Sequence, residues 1–157
     1  MMVNNFTLAE FVASRRAREL GLNNGLPEPL IPAAWATLAM LQGIRDRLCA
    51  IEGRDVPIDI SSGYRCQPLN KAVGGEPNSD HVRAAAVDFT APAFGTPLDI
   101  CRALAPLVSV LGIGQLIYER PRGAALAWVH ASTRVPAQAV NRIITVTERG
   151  TLAGVVA

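Results

Sequence analysis

SGYRCQPLNKAVGGEPNSDHVRAAAVDF, residues 62–89, followed about forty residues on by AWVHAS, residues 127–132, is the part of the chain from which the rest can be read. It holds the only two histidines of the protein, His81 and His130, together with Asp88. Zn²⁺ is bound by imidazole nitrogen and carboxylate oxygen at about 2.0–2.2 Å, and a catalytic site uses three protein ligands with a fourth position left to water. His81, Asp88 and His130 make up such a set. Asp88 lies in AAAVDFT, an apolar run that reads as a buried strand, where an unpaired carboxylate would carry a heavy desolvation cost. His130 lies in a second short apolar run, so it too needs a polar partner. One shared cation satisfies all three groups.

Helices come first along the chain and sheet later. Thr7 and Glu10 form a T-x-x-E capping box, opening a first helix with Leu8, Phe11, Val12 and Leu20 as its buried stripe and an end near Gly21. Residues 23–32 are rich in Gly and Pro and read as a connector. A second helix is predicted over 33–49, with Trp35, Leu38, Leu41, Ile44 and Leu48 facing the core. Residues 56–61 alternate as a strand whose end delivers Gly63, Tyr64 and Arg65 to the sheet edge. A short helix over 67–73 is closed by Gly74 and Gly75, with Gly75 expected to take a positive φ. Thr96, Pro97 and Asp99 start another helix, buried through Leu98, Cys101, Leu104 and Val108 and stopped at Gly112. Residues 142–147 give a last strand.

The 157 residues suit one domain spanning 1–157, with enough length for a real core. Half of them are hydrophobic, yet no apolar run is long enough to span a bilayer, so membrane insertion is not expected. A formal charge of +2 with scattered arginines gives no nucleic-acid footprint. The start MMVNNFTLAE lacks the pattern of a secretory signal, so the chain is expected in the cytoplasm as synthesised. Cys49, Cys66 and Cys101 are odd in number and widely spaced, which argues against a disulfide framework.

Taken together, SGYR at 62–65, Asn70 with Val73, Gly74 and Gly75, then Ser79, His81, Ala86 and Asp88, and later Trp128 with His130, resemble the zinc D-Ala-D-Ala carboxypeptidases and related murein endopeptidases. The likeness is strongest to their small single-domain bacterial and phage members, and extends to residues 5–24 and to GQLIYE at 114–119. The resemblance implies an α+β fold of the Hedgehog/D-Ala-D-Ala peptidase-like kind, a small antiparallel sheet carrying the metal with helices packed on its other face. It further implies Zn²⁺ as cofactor and a peptidoglycan stem peptide as substrate. Ala84 stands where the family usually has Gly, a small strain if its φ is positive. Many relatives place a catalytic Glu or His three residues before the last ligand; this chain has Ala127.

The general base must then come from elsewhere, and Glu119 is the candidate. Residues 115–119 and 127–132 read as a hairpin around PRGA, 121–124. If Glu119 pairs opposite Trp128 or His130 it shares their face, whereas a slip of one residue turns it away. Asp80 is a weaker alternative, better suited to a loop or cap. By resemblance, Arg65 faces a substrate carbonyl or carboxylate, the alternative being a structural ion pair; Ser79 either contacts substrate or orients His81; Trp128 either floors the cleft or packs. The expected activity is zinc-dependent hydrolysis of a peptide bond in stem peptides, by carboxypeptidase or endopeptidase cleavage. The alternative is a non-catalytic, zinc-stabilised wall-binding or virion module.

Overall fold

The alternation of side chains along the strands divides the protein into a packed face and a polar one. A computed structural model describes residues 5–157; residues 1–4, on which the reading of a leaderless start partly rests, lie outside the described residues. Helices α1 (Leu8–Val12), α2 (Arg15–Glu19) and α3 (Ile31–Glu52) precede strand β1 (Asp59–Ser62) and helix α4 (Gln67–Ala72). Then come β2 (Ala86–Thr90), α5 (Pro97–Leu104), β3 (Gln115–Arg120), β4 (Trp128–Ser132), β5 (Ile143–Thr147) and β6 (Gly150–Ala153). The six strands form one sheet in the order β1-β2-β4-β3-β5-β6.

Val87 and Phe89 of β2, Leu116 and Tyr118 of β3, and Val129 and Ala131 of β4 point to one side and share a core with α3 and α5. Side chains alternate along a strand, so Asp88, Ile117, Glu119, Trp128 and His130 fall to the opposite side. The sheet is mixed, which corrects the expectation of a small antiparallel one: β3 and β5 run parallel, while the other pairs are antiparallel. Both edges of β4 are already taken by β2 and β3, so the chain leaving β4 must reach the free edge of β3. Residues 133–142 carry it past the start of β3, so close that a Cβ on Gly114 would lie 2.3 Å from the backbone of Arg134. Only glycine fits there.

Several helical expectations change. The Thr7–Glu10 capping box is present, but the first helix breaks at Ala13, because the Ser14 hydroxyl accepts the Ala17 amide at 3.1 Å and starts α2. Leu20 therefore leaves the stripe and is 41% exposed. Helix α3 runs longer than predicted, with Pro32 tolerated in its first turn and Gly53 ending it at φ 66°. Its buried face is Ala34, Thr37, Leu38, Leu41, Ile44 and Leu48, and Trp35, one residue and about 100° round the helix from Ala34, is 41% exposed instead of core. Small Ala34 and Thr37 let α3 approach closely, and the Thr37 hydroxyl lies 2.9 Å from the Ala84 carbonyl. After α4 it is Gly74, not Gly75, that takes the positive φ, 75°; Gly75 is required because a Cβ would meet Asn70 Oδ1 at 2.1 Å. The Thr96–Asp99 capping box and Pro97 start α5 as expected, but the α-helix ends at Leu104, short of the expected stop at Gly112, and a 3₁₀ turn over Ala105–Leu107 follows it. Among the described residues no helix is long and apolar enough to cross a membrane.

Candidate metal centre

Three separate segments bring the donors together. His81 sits in a tight turn in which the Arg83 and Ala85 amides reach back to the Asp80 carbonyl at 3.1 and 2.9 Å and the Ala84 amide to that of His81 at 3.2 Å. Closing this turn puts Ala84 at φ 54°, the one non-glycine residue with positive φ among those described. Asp88 is central in β2, and the antiparallel register sets it directly opposite His130 in β4. The side chains of His81, Asp88 and His130 are 2%, 5% and 8% exposed as residues, and one donor atom of each lies within 4.8 Å of the others.

The protonation pattern of this cluster suits a cation. His81 Nδ1 lies 2.7 Å from the Gly63 carbonyl. A carbonyl only accepts, so Nδ1 carries the proton and Nε2 is left with a bare lone pair. Burial holds the His81 ring below its ordinary pKa, with the His130 and Arg65 charges acting the same way, despite the opposing pull of Asp88. The neutral ring therefore presents a lone pair to Asp88 Oδ1 at 3.2 Å, while His130 Nδ1 stands 2.8 Å from the same oxygen. Ligands tetrahedrally bound at 2.0–2.1 Å are separated by about 3.3 Å, close to these spacings. Two nitrogens and an ionised oxygen converging on one point fit a divalent ion.

Asp88 is the hub. Burial alone would raise its pKa, but the charges and hydrogen bonds of His81 and His130 outweigh that and hold it well below the usual carboxylate range. For His130, burial opposes the charged ring, yet the bond to Asp88 and the charges of Asp88, Glu119 and Asp80 raise its pKa. The second oxygen, Asp88 Oδ2, accepts from Arg65 Nη2 at 2.7 Å, and Arg65 Nε donates to Ser62 Oγ at 2.8 Å. Arg65 thus orients the carboxylate, a contact with no signature in the sequence.

The donors open into a cleft of about 590 Å³ lined also by Arg65, Ser79, Ile117, Glu119 and Trp128. In the β3–β4 register Glu119 pairs with Trp128 and Ile117 with His130, which puts Glu119 on the donor side. Burial pushes the Glu119 carboxyl above its usual range, the Asp88 charge adds to the rise, and His130 and Arg65 oppose it. Trp128, half-buried, has a buried indole N–H without a partner among the described residues. Ser79 Oγ accepts the His81 amide at 3.3 Å, holding the turn. Asp80 also lines the cleft, but both its oxygens are taken: Ser132 Oγ donates to one and Arg134 Nη1 to the other, both at 2.6 Å. That clamp ties the His81 turn to β4, and nothing in the sequence pointed to Arg134.

A family model described as Peptidase M15 matches residues 4–120. No match is found among curated proteins. The matched span carries Arg65, His81, Asp88 and Glu119 but ends before β4, so His130 joins the site through strand pairing with β2. M15 peptidases depend on a metal, generally zinc. With well over half of the chain matched and a His-Asp-His donor set in place, the chain belongs to the peptidase M15 family, the zinc D-Ala-D-Ala carboxypeptidase-like metallopeptidases.

Proposed function

We propose that residues 1–157 form a single zinc peptidase domain, of the Hedgehog/D-Ala-D-Ala peptidase-like kind, that hydrolyses a peptide bond in peptidoglycan stem peptides. His81 Nε2, Asp88 Oδ1 and His130 Nδ1 are the proposed ligands. The observation that carries the reading is the convergence of these three atoms beside a carboxylate with a raised pKa, in a cleft open to a peptide. A bound Zn²⁺ supplies Lewis acidity, polarising a carbonyl and bringing the pKa of water to about 7.

Glu119 is the proposed general base. It takes the proton of the attacking water and returns it to the leaving amine as the C–N bond breaks. A raised pKa favours that second task, because the protonated acid must persist long enough to donate. Arg65 holds Asp88 through Nη2, and as a cleft-lining guanidinium is placed to meet negative charge developing on the scissile carbonyl. Trp128 floors the cleft, and Ser79 contacts substrate while shaping the turn around His81.

Ala127, where many relatives carry an acid or a histidine, favours a second reading, a wall-binding or virion module in which the metal only braces the sheet. Digestion of purified murein with zinc-loaded protein separates the two, and mass spectrometry of the released peptides tells loss of a terminal D-Ala from an internal cut. About one zinc per chain is expected, and both His81→Ala and His130→Ala should abolish it. A full metal complement in the double variant would remove the assignment of the ligands.

A further inference from the structure

A second groove opens beside the metal cleft and joins it at Arg65 and Val73, which line both. It measures about 410 Å³ and runs between the start of α2 and the edge of β1. Arg15, Arg16 and Arg18 line one wall, and Tyr64 and Arg65 lie across from them. The arginines have one carboxylate between them: Glu19 takes Arg15 Nε at 2.8 Å and Arg16 Nη1 at 3.4 Å, and no ion pair to Arg18 is found among the described residues. With the two paired arginine side chains 87% and 51% exposed, those bonds are readily exchanged for others. The whole chain has a formal charge of only +2, so this groove is a local concentration of positive charge. Because the two grooves share Arg65 and Val73, a peptide held in the metal cleft can extend past Arg65 into this one.

We propose that this groove binds a carboxylate-bearing arm of the substrate peptide, making Arg15, Arg16 and Arg18 specificity-determining residues. The inference rests on the peptidase reading above. A guanidinium meets a carboxylate with two parallel N–H···O bonds, stronger and more directional than a bond to a neutral amide. The groove therefore favours a stem peptide whose second-residue carboxylate is free over one in which it is a carboxamide. No bond changes in this step.

The test uses full-length zinc-loaded protein and two stem pentapeptides that differ only in that carboxylate or carboxamide. Wild type should show the higher kcat/KM for the free carboxylate. Replacing the three arginines with glutamine should reduce the ratio of the two kcat/KM values about ten-fold, mainly through KM. The triple lysine variant should recover part of the ratio, since it keeps the charge and loses the fork. Calorimetric titration of both peptides into Glu119→Gln protein, with and without the arginine changes, reads the same preference without turnover. Equal ratios in wild type and the glutamine variant, with metal content and circular dichroism intact, would overturn the proposal. So would inhibition by a glycerol-phosphate polymer with no discrimination between the peptides, which would make the anion a phosphate. If wild type cleaves neither these peptides nor purified murein the peptidase reading fails, and the calorimetry alone decides whether the groove selects a carboxylate.

Discussion

Glu119→Gln separates two properties that one half-buried carboxylate combines. A carboxyl whose pKa rises on folding costs stability above that folded pKa, and the cost vanishes as pH falls below the unfolded value. Glutamine keeps the shape without the charge, so metal-free Glu119→Gln protein should melt at a higher temperature than wild type at neutral pH. Its hydrolysis should fall by roughly 10²–10⁴-fold with zinc retained, the loss expected of a missing general base. Full activity in the variant would remove Glu119 from the mechanism. Ala84 offers a second measurement at single-residue scale. Its left-handed backbone already strains an L-residue by about 1–2 kcal/mol, and it is fully buried. Ala84→Val adds a branched Cβ to that conformation and crowds the core, so a loss of roughly 2–4 kcal/mol is expected in denaturant titrations. Zinc content should fall with it, because the Ala84 amide closes the turn that carries His81.

At the scale of elements, the His81 turn is held to β4 by Asp80, which accepts from Ser132 and Arg134. Asp80→Asn keeps an acceptor in place and should leave hydrolysis within a few-fold of wild type, far less than the Glu119 change. Asp80→Ala frees the turn, and zinc affinity measured against a competing chelator should weaken by about 10–100-fold, as for other groups that orient a ligand from behind. An unchanged affinity would show that the turn holds itself. The β3–β4 hairpin was legible because PRGA marks its turn and the flanking runs alternate, but the register was not, and it is the structure that pairs Glu119 with Trp128 on the donor face. The capping box at Thr96 was legible for the same reason, being local chemistry, whereas the helix end at Leu104, before Gly112, was not. What could not be read depends on partners distant in sequence. A parallel β5 follows from both edges of β4 being occupied, and the exposure of Trp35 from where the sheet meets α3. The three donors were visible as residue types, while the Arg65–Asp88 bond and the Asp80 clamp were not, since contacts across so many residues leave no spacing pattern.

For the molecule as a whole, metal-free and zinc-loaded protein should respond to pH with different slopes, the zinc-loaded one flatter. Well above about pH 6.5 His81 is neutral in both folded and unfolded chains. His130 has a raised folded pKa, so its contribution is fully present below the unfolded value and is lost as pH rises through the folded one. Metal-free protein should therefore lose thermal stability across that range. Zinc competes with the same proton, so the increment it adds should grow as pH rises, reaching about 2.7 kcal/mol where free metal is 100 times its Kd. Parallel slopes in melts with and without chelator would contradict the ligand assignment. On the acid side, zinc release that tracks the loss of hydrolysis identifies proton competition at the histidines, and loss without release identifies titration of Glu119. The register that sets Asp88 against His130 joins residues 42 positions apart, and it also imposes an order of events in time. During synthesis the turn with His81 and the strand with Asp88 emerge well before β4, and they supply only two donors. The donor set is completed only when the later strand docks, so on the proposed ligand assignment a nascent or C-terminally truncated chain should bind zinc weakly until synthesis has passed the point at which the sheet can close.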